Sequence, residues 1–121
     1  MKKIVITSFT IAALFAACKS TKETSVAVVE KVDCSTYSGL TYSKDIKTII
    51  ETNCAKCHNK NNKAGFNFLT LESVKKGVSN GELLGTIKHQ KGYPKMPIGA
   101  PKLSQDDINK IECWINSGMP E

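Results

Sequence analysis

Two thiols and an imidazole fall within one short run, Cys54-Ala55-Lys56-Cys57-His58. On helical backbone, positions i, i+3 and i+4 share a face, so Cys54, Cys57 and His58 point at a common object. The spacing is CxxCH, and the chemistry it specifies is covalent attachment of a c-type haem: two thiols add to the haem vinyl groups and the imidazole ligates the iron. Two other chemistries compete for these residues. A zinc site needs four ligands, usually from two such pairs, and the one other histidine, His89, brings no second pair. A redox CxxC dithiol wants a βαβ setting, which this chain does not offer. The expectation is therefore one haem c on Cys54 and Cys57, with His58 as an axial ligand.

Iron held by one histidine has a sixth position, and its occupant decides the function. A filled position suits electron transfer; an open one binds or activates small ligands. The candidates are Met96, His89 and Met119. Met96 stands between Pro94 and Pro97, whose rings fix φ, so a stiff loop presents a weak thioether donor at small ordering cost. Met96 is preferred on that ground over ordinary core filling. His89 at a helix end, Met119 near the C-terminus and an open position stay as alternatives.

The elements that must position these residues are helical. A chain of 121 residues supports one small domain, and a domain of this size benefits from a cofactor at its centre. Ser43 is placed to cap a first helix, with Asp45 in its first turn. Ile46, Ile49 and Ile50 then repeat at helical spacing and lead directly into Cys54. A polar loop follows from Asn59 to Gly65. Phe66, Phe68, Leu69 and Leu71 are expected to pack on a haem face or on the first helix. Thr70 opens a short helix with Leu71, Val74 and Val78, ending around Gly77 to Gly81. Another carries Leu83, Leu84 and Ile87, with His89 at its end. Ser104 and Asp107 form a capping box for a last helix with Ile108, Ile111 and Ile115, stopped by Gly118 and Pro120. Strand-like runs are scarce, so the fold class is all-α.

Ahead of this domain, Met1-Lys2-Lys3 and the apolar run Ile4 to Ala17 have the form of a signal peptide. The apolar run is shorter than the about 20 residues a membrane-spanning helix needs. Leu14-Phe15-Ala16-Ala17-Cys18 resembles a bacterial lipoprotein signal, which implies that Cys18 carries lipid and becomes the mature N-terminus. The division of the chain is then a signal peptide over 1–17, a lipidated N-terminus and flexible linker over 18–33, and a helical domain over 34–121. Loss of Lys2 and Lys3 takes the formal charge of +6 down toward +4. Lys56, Lys60, Lys63, Lys88, Lys91, Lys95 and Lys102 lie near the motif or beyond it. An ordinary solvated surface accounts for them; the sharper reading is a positive ring that steers an acidic-faced redox partner. Nucleic acid is not an expected partner, because no basic helix or aromatic-interleaved basic strip accompanies the charge.

Tyr42, Asp45-Ile46 and Ile49, the CxxCH run, Met96-Pro97, Leu103-Ser104 and Trp114-Ile115 with Gly118 follow one another in a familiar order. In that order residues 40–120 resemble the small class I cytochromes c of bacteria. The resemblance implies a helical fold packed around one covalent haem, with Cys54 and Cys57 as attachment points and His58 and Met96 as axial ligands. It further implies single-electron transfer at an exposed haem edge between redox proteins, with no small-molecule substrate and no catalysis. Trp114 is placed to pack near the haem or the N-terminal helix, or to serve plainly in the core. With the lipid on Cys18, such a carrier is exported and tethered to a bacterial membrane, facing the periplasm or the exterior. The alternative is a haem enzyme or a gas or redox sensor with an open or exchangeable sixth position.

Of the five cysteines, lipid takes Cys18 and haem takes Cys54 and Cys57, leaving Cys34 and Cys113. In an oxidising compartment disulfides persist, so these two are expected to bridge and to clip the start of the domain onto its last helix. The chain-entropy relation gives roughly 4.5 kcal/mol as an upper bound for so long a loop. Two free buried thiols are the alternative.

Overall fold

The structure, a computed structural model, describes residues 31–61 and 65–121. The signal segment, Cys18, most of the linker and Lys63 lie outside the described residues. Among those described, all regular structure is helical and no strand occurs. A single tight turn, Cys34–Tyr37, precedes α1. Helix α1 spans residues 42–55 as three contiguous stretches, Tyr42–Ile46, Lys47–Ile50 and Glu51–Ala55, with wide π-type turns at both ends. Helices α2 (Leu71–Ser79), α3 (Glu82–Ile87) and α4 (Gln105–Asn116) follow.

Thr41, and not Ser43, caps α1. Its backbone is extended (φ −127°, ψ 156°) and its hydroxyl accepts from the Lys44 N–H, while the Asp45 carboxylate accepts from the Thr41 N–H at 2.9 Å. A cap needs non-helical backbone at its own position, and Ser43 already lies inside the first turn. The isoleucine periodicity does what it predicts: Ile46 and Ile50 are fully buried and Ile49 nearly so. Thr70 caps α2 in a reciprocal box with Ser73, and the Ser104 side chain accepts from the Asp107 N–H at the start of α4. Helix α4 buries Ile108, Ile111 and Trp114, while Ile115 stays only partly covered.

The N-terminal end of α1 is closed against α4. Trp114 is fully buried, its ring 5.9 Å from that of Tyr42. Its Nε1–H donates to the Pro120 carbonyl at 2.8 Å, and the same carbonyl accepts from the Tyr42 N–H at 3.0 Å. Residues 119 and 120 are therefore tied to the core and to the head of α1. Cys34 and Cys113 form a disulfide with Cα atoms 5.4 Å apart, so the chain is clipped where the cysteine count expects. Lys88 pairs with Glu112, both side chains 17% exposed, which joins the end of α3 to α4 and removes Lys88 from the solvent-facing lysines. No helix among the described residues is long and apolar enough to cross a membrane.

Candidate haem-binding cleft

At its other end, α1 runs into the motif without losing helical geometry. The His58 N–H donates to the Cys54 carbonyl at 2.8 Å and the Cys57 N–H to the same oxygen at 3.1 Å. One helical turn thus carries all three side chains, and all three line one cleft with a cavity volume of about 190 Å³. Cys57 is exposed and Cys54 half-buried; burial pushes the Cys54 thiol up to about 11.

The imidazole of His58 is oriented by the segment that follows the polar loop. Its Nδ1 lies 3.0 Å from the Phe66 carbonyl oxygen. A carbonyl only accepts, so Nδ1 carries the proton and, in the neutral ring, Nε2 keeps its lone pair for a metal. The Phe68 N–H returns a bond to the His58 carbonyl at 2.9 Å. The Phe68 ring lies 4.8 Å from the imidazole and the Phe66 ring stacks 6.2 Å from Phe68. Both phenylalanines line the cleft. Leu69 does not join them and is 43% exposed, because it sits in the turn leading to the Thr70 cap.

Helix α3 and the loop after it supply more of the wall. Leu83, Ile87, Leu103, Pro94, Pro97 and Met96 all face the cleft. Two glycines inside helices let aromatic rings approach closely. A Cβ at Gly77 of α2 would lie 2.6 Å from the Phe68 ring, and one at Gly85 of α3 would lie 2.5 Å from the ring of Tyr93. Glycine in a helix interior costs about 1 kcal/mol relative to alanine, so each marks a close contact rather than a helix end. Neither role is legible from the glycines' positions in the sequence.

The other candidate ligands lie elsewhere. His89 and Met119 do not line the cleft. The Nε2 of His89 is 2.9 Å from the Met96 carbonyl oxygen, and the Met119 N–H donates to the Trp114 carbonyl at 2.9 Å, which holds Met119 against the core. Trp114 packs on Tyr42 and not on the cleft, so its role is core packing at the α1–α4 junction. Lys56, Lys60, Lys91, Lys95 and Lys102 are exposed.

An apolar cleft that presents two thiols, one imidazole and one thioether fits a haem by the chemistry of its donors: sulfur for covalent links, nitrogen and soft sulfur for iron. Among the described residues, no group of three or more His, Cys, Asp or Glu is disposed to hold a metal ion directly. No protein-family model, curated protein or solved structure matches this chain.

Proposed function

We propose that this chain is a single-haem c-type cytochrome that passes one electron at a time between larger redox proteins. One observation carries the reading: a cleft with apolar walls collects Cys54, Cys57, His58 and Met96 from segments far apart in the chain. When bound there, a haem supplies a one-electron ferric–ferrous couple. Everything else is the work of the chain's own residues. Cys54 and Cys57 would hold the group by thioether links, each S–H adding across a vinyl C=C. The Phe66 carbonyl fixes the His58 tautomer and makes Nε2 a better donor. Met96 would supply the iron with a soft sulfur donor beside His58, and a His/Met set would raise the potential above that of a bis-histidine site. Phe66, Phe68, Leu83 and Leu103 would keep water from the group within the cleft. Signal peptide, lipid on Cys18, attachment to a bacterial membrane from the periplasmic or outer side, and exposed lysines that steer acidic partners belong to the same proposal.

A dithiol oxidoreductase is the weaker reading. An attacking thiol needs a lowered pKa, and burial moves Cys54 the other way, up to about 11. The test is a denaturing mass spectrum of protein made where haem can be attached, followed by optical spectra. The expected mass includes one haem, lost in the Cys54→Ser, Cys57→Ser double variant. The ferric protein shows a methionine-to-iron charge-transfer band that Met96→Ala abolishes. A wild-type mass without haem would refute the proposal. Rapid and complete binding of carbon monoxide to the reduced wild type would place it instead among haem enzymes and sensors with an open sixth position.

A further inference from the structure

The Met96 segment is held at both of its backbone polar groups. Its N–H donates to the Thr86 carbonyl of α3 at 3.2 Å, and its carbonyl oxygen accepts from Nε2 of His89 at 2.9 Å. A third hold lies beside these: the Tyr93 ring rests on the bare backbone of Gly85, and the Gln90 N–H donates to the Gly85 carbonyl at 2.9 Å. His89 itself sits at φ 58°, in the left-handed region that few residues other than glycine adopt. The imidazole is what position 89 adds, and it is spent on the carbonyl of Met96.

We propose that His89 is a positioning residue for Met96: by holding the Met96 carbonyl, it keeps the thioether turned into the cleft. This rests on the reading of Met96 as an iron ligand. A thioether competes poorly for iron, so its hold depends on arriving already ordered. Without the imidazole, a half-buried carbonyl loses its donor, and the loop gains conformations that carry sulfur away from the cleft. His89 thus acts through Met96, and its own Nε2 is not offered to the iron.

The test uses the full haem-loaded chain with His89→Ala and His89→Gln. Glutamine reaches about as far as Nε2 and keeps an N–H donor; both replacements suit left-handed backbone equally badly, so their difference isolates the hydrogen bond. Two readouts are taken: affinity of the ferric protein for added imidazole, which competes for the sixth position, and hydrogen exchange at the Met96 amide. His89→Ala is expected to bind imidazole about tenfold more tightly and to exchange the Met96 amide about tenfold faster, the effect of one lost buried hydrogen bond. His89→Gln returns both toward wild type. If the alanine variant does not load haem, His89→Asn takes its place, since its amide stops short of the carbonyl while its backbone tolerates φ 58°. Wild-type values in the alanine variant, or a glutamine variant as perturbed as alanine, overturn the proposal. Met96→Ala is the control for the underlying reading. If it leaves imidazole affinity unchanged, Met96 is not the ligand and His89 positions none, while the exchange data still show separately whether the clamp exists.

Discussion

The two ends of α1 live in different surroundings. At the head, Tyr42 meets Trp114, the Pro120 carbonyl takes two hydrogen bonds, and a disulfide holds the preceding turn to α4. Protein packs against protein there, and Ile46, Ile50, Ile108, Ile111 and Trp114 are all fully buried. At the tail, Cys54, Cys57 and His58 face a cleft, and its rim leaves Ile98 78% exposed. The head is complete in itself, while the tail is shaped around a space. Stability is therefore expected to reside mainly in the head and chemistry in the tail.

The strongest attack on this division is Trp114→Ala. Truncating a fully buried tryptophan removes about 4 kcal/mol from folding, and here it also leaves the Pro120 carbonyl with one donor fewer. Chemical denaturation measures the loss. The visible spectrum of whatever haem-loaded protein remains folded is expected to match wild type, since Trp114 does not line the cleft. A shifted spectrum with little loss of stability would place the tryptophan on the cofactor side and undo the division.

A smaller effect tests whether the tail keeps its shape without a cofactor. Burial raises the Cys54 thiol from 9.0 to about 11, so the folded chain holds this proton more tightly than the unfolded one. The sign follows. Below pH 9 the contribution is fully present; as pH climbs from 9 through 11 the unfolded chain ionises first and folding weakens. The size is about 2 kcal/mol, reduced from the full value for two pH units because the thiol is not wholly buried. Haem-free protein is expected to lose that much more stability than its Cys54→Ser variant between pH 8 and 11, by urea unfolding at each pH. Identical slopes would mean that the cleft collapses or opens when nothing fills it.

The sequence reading reaches the two halves unequally, for physical reasons. Helical period, caps and the cysteine count carry the head: isoleucines at i, i+3 and i+4 have one buried face whatever else the chain does. The misread cap, Ser43 for Thr41, is a choice between two hydroxyls that the local backbone decides, and the Ser104–Asp107 box forms only in part, the Asp107 carboxylate accepting from the Ser104 hydroxyl. In the tail, Cys54, Cys57, His58 and Met96 stand out in the sequence by side-chain chemistry, and the structure brings them to one cleft. What orients them does not stand out there. The Phe66 carbonyl behind His58 and the Thr86 carbonyl behind Met96 are backbone groups that any residue would supply. His89 is visible in the sequence as a possible ligand, yet its hydrogen bond to the Met96 carbonyl becomes visible only in three dimensions.

The least costly change is the most discriminating for the tail. In α2, Gly77→Ala improves intrinsic helix propensity by about 1 kcal/mol, and for an unconstrained helix the protein should become more stable. Here the new Cβ would lie 2.6 Å from Cε1 of Phe68, a ring that is 6% exposed, lines the cleft and has its centroid 4.8 Å from that of His58. Overpacking of this kind costs about 2 kcal/mol, so the net is a destabilisation of about 1 kcal/mol. A displaced ring would also shift its contact with the imidazole, whose Nδ1 bonds the Phe66 carbonyl. A thermal midpoint that falls, with a changed His58 environment by NMR, fits a wall already packed against the histidine. A midpoint that rises would show that Phe68 is free to move, and that the tail's wall is looser than the head's.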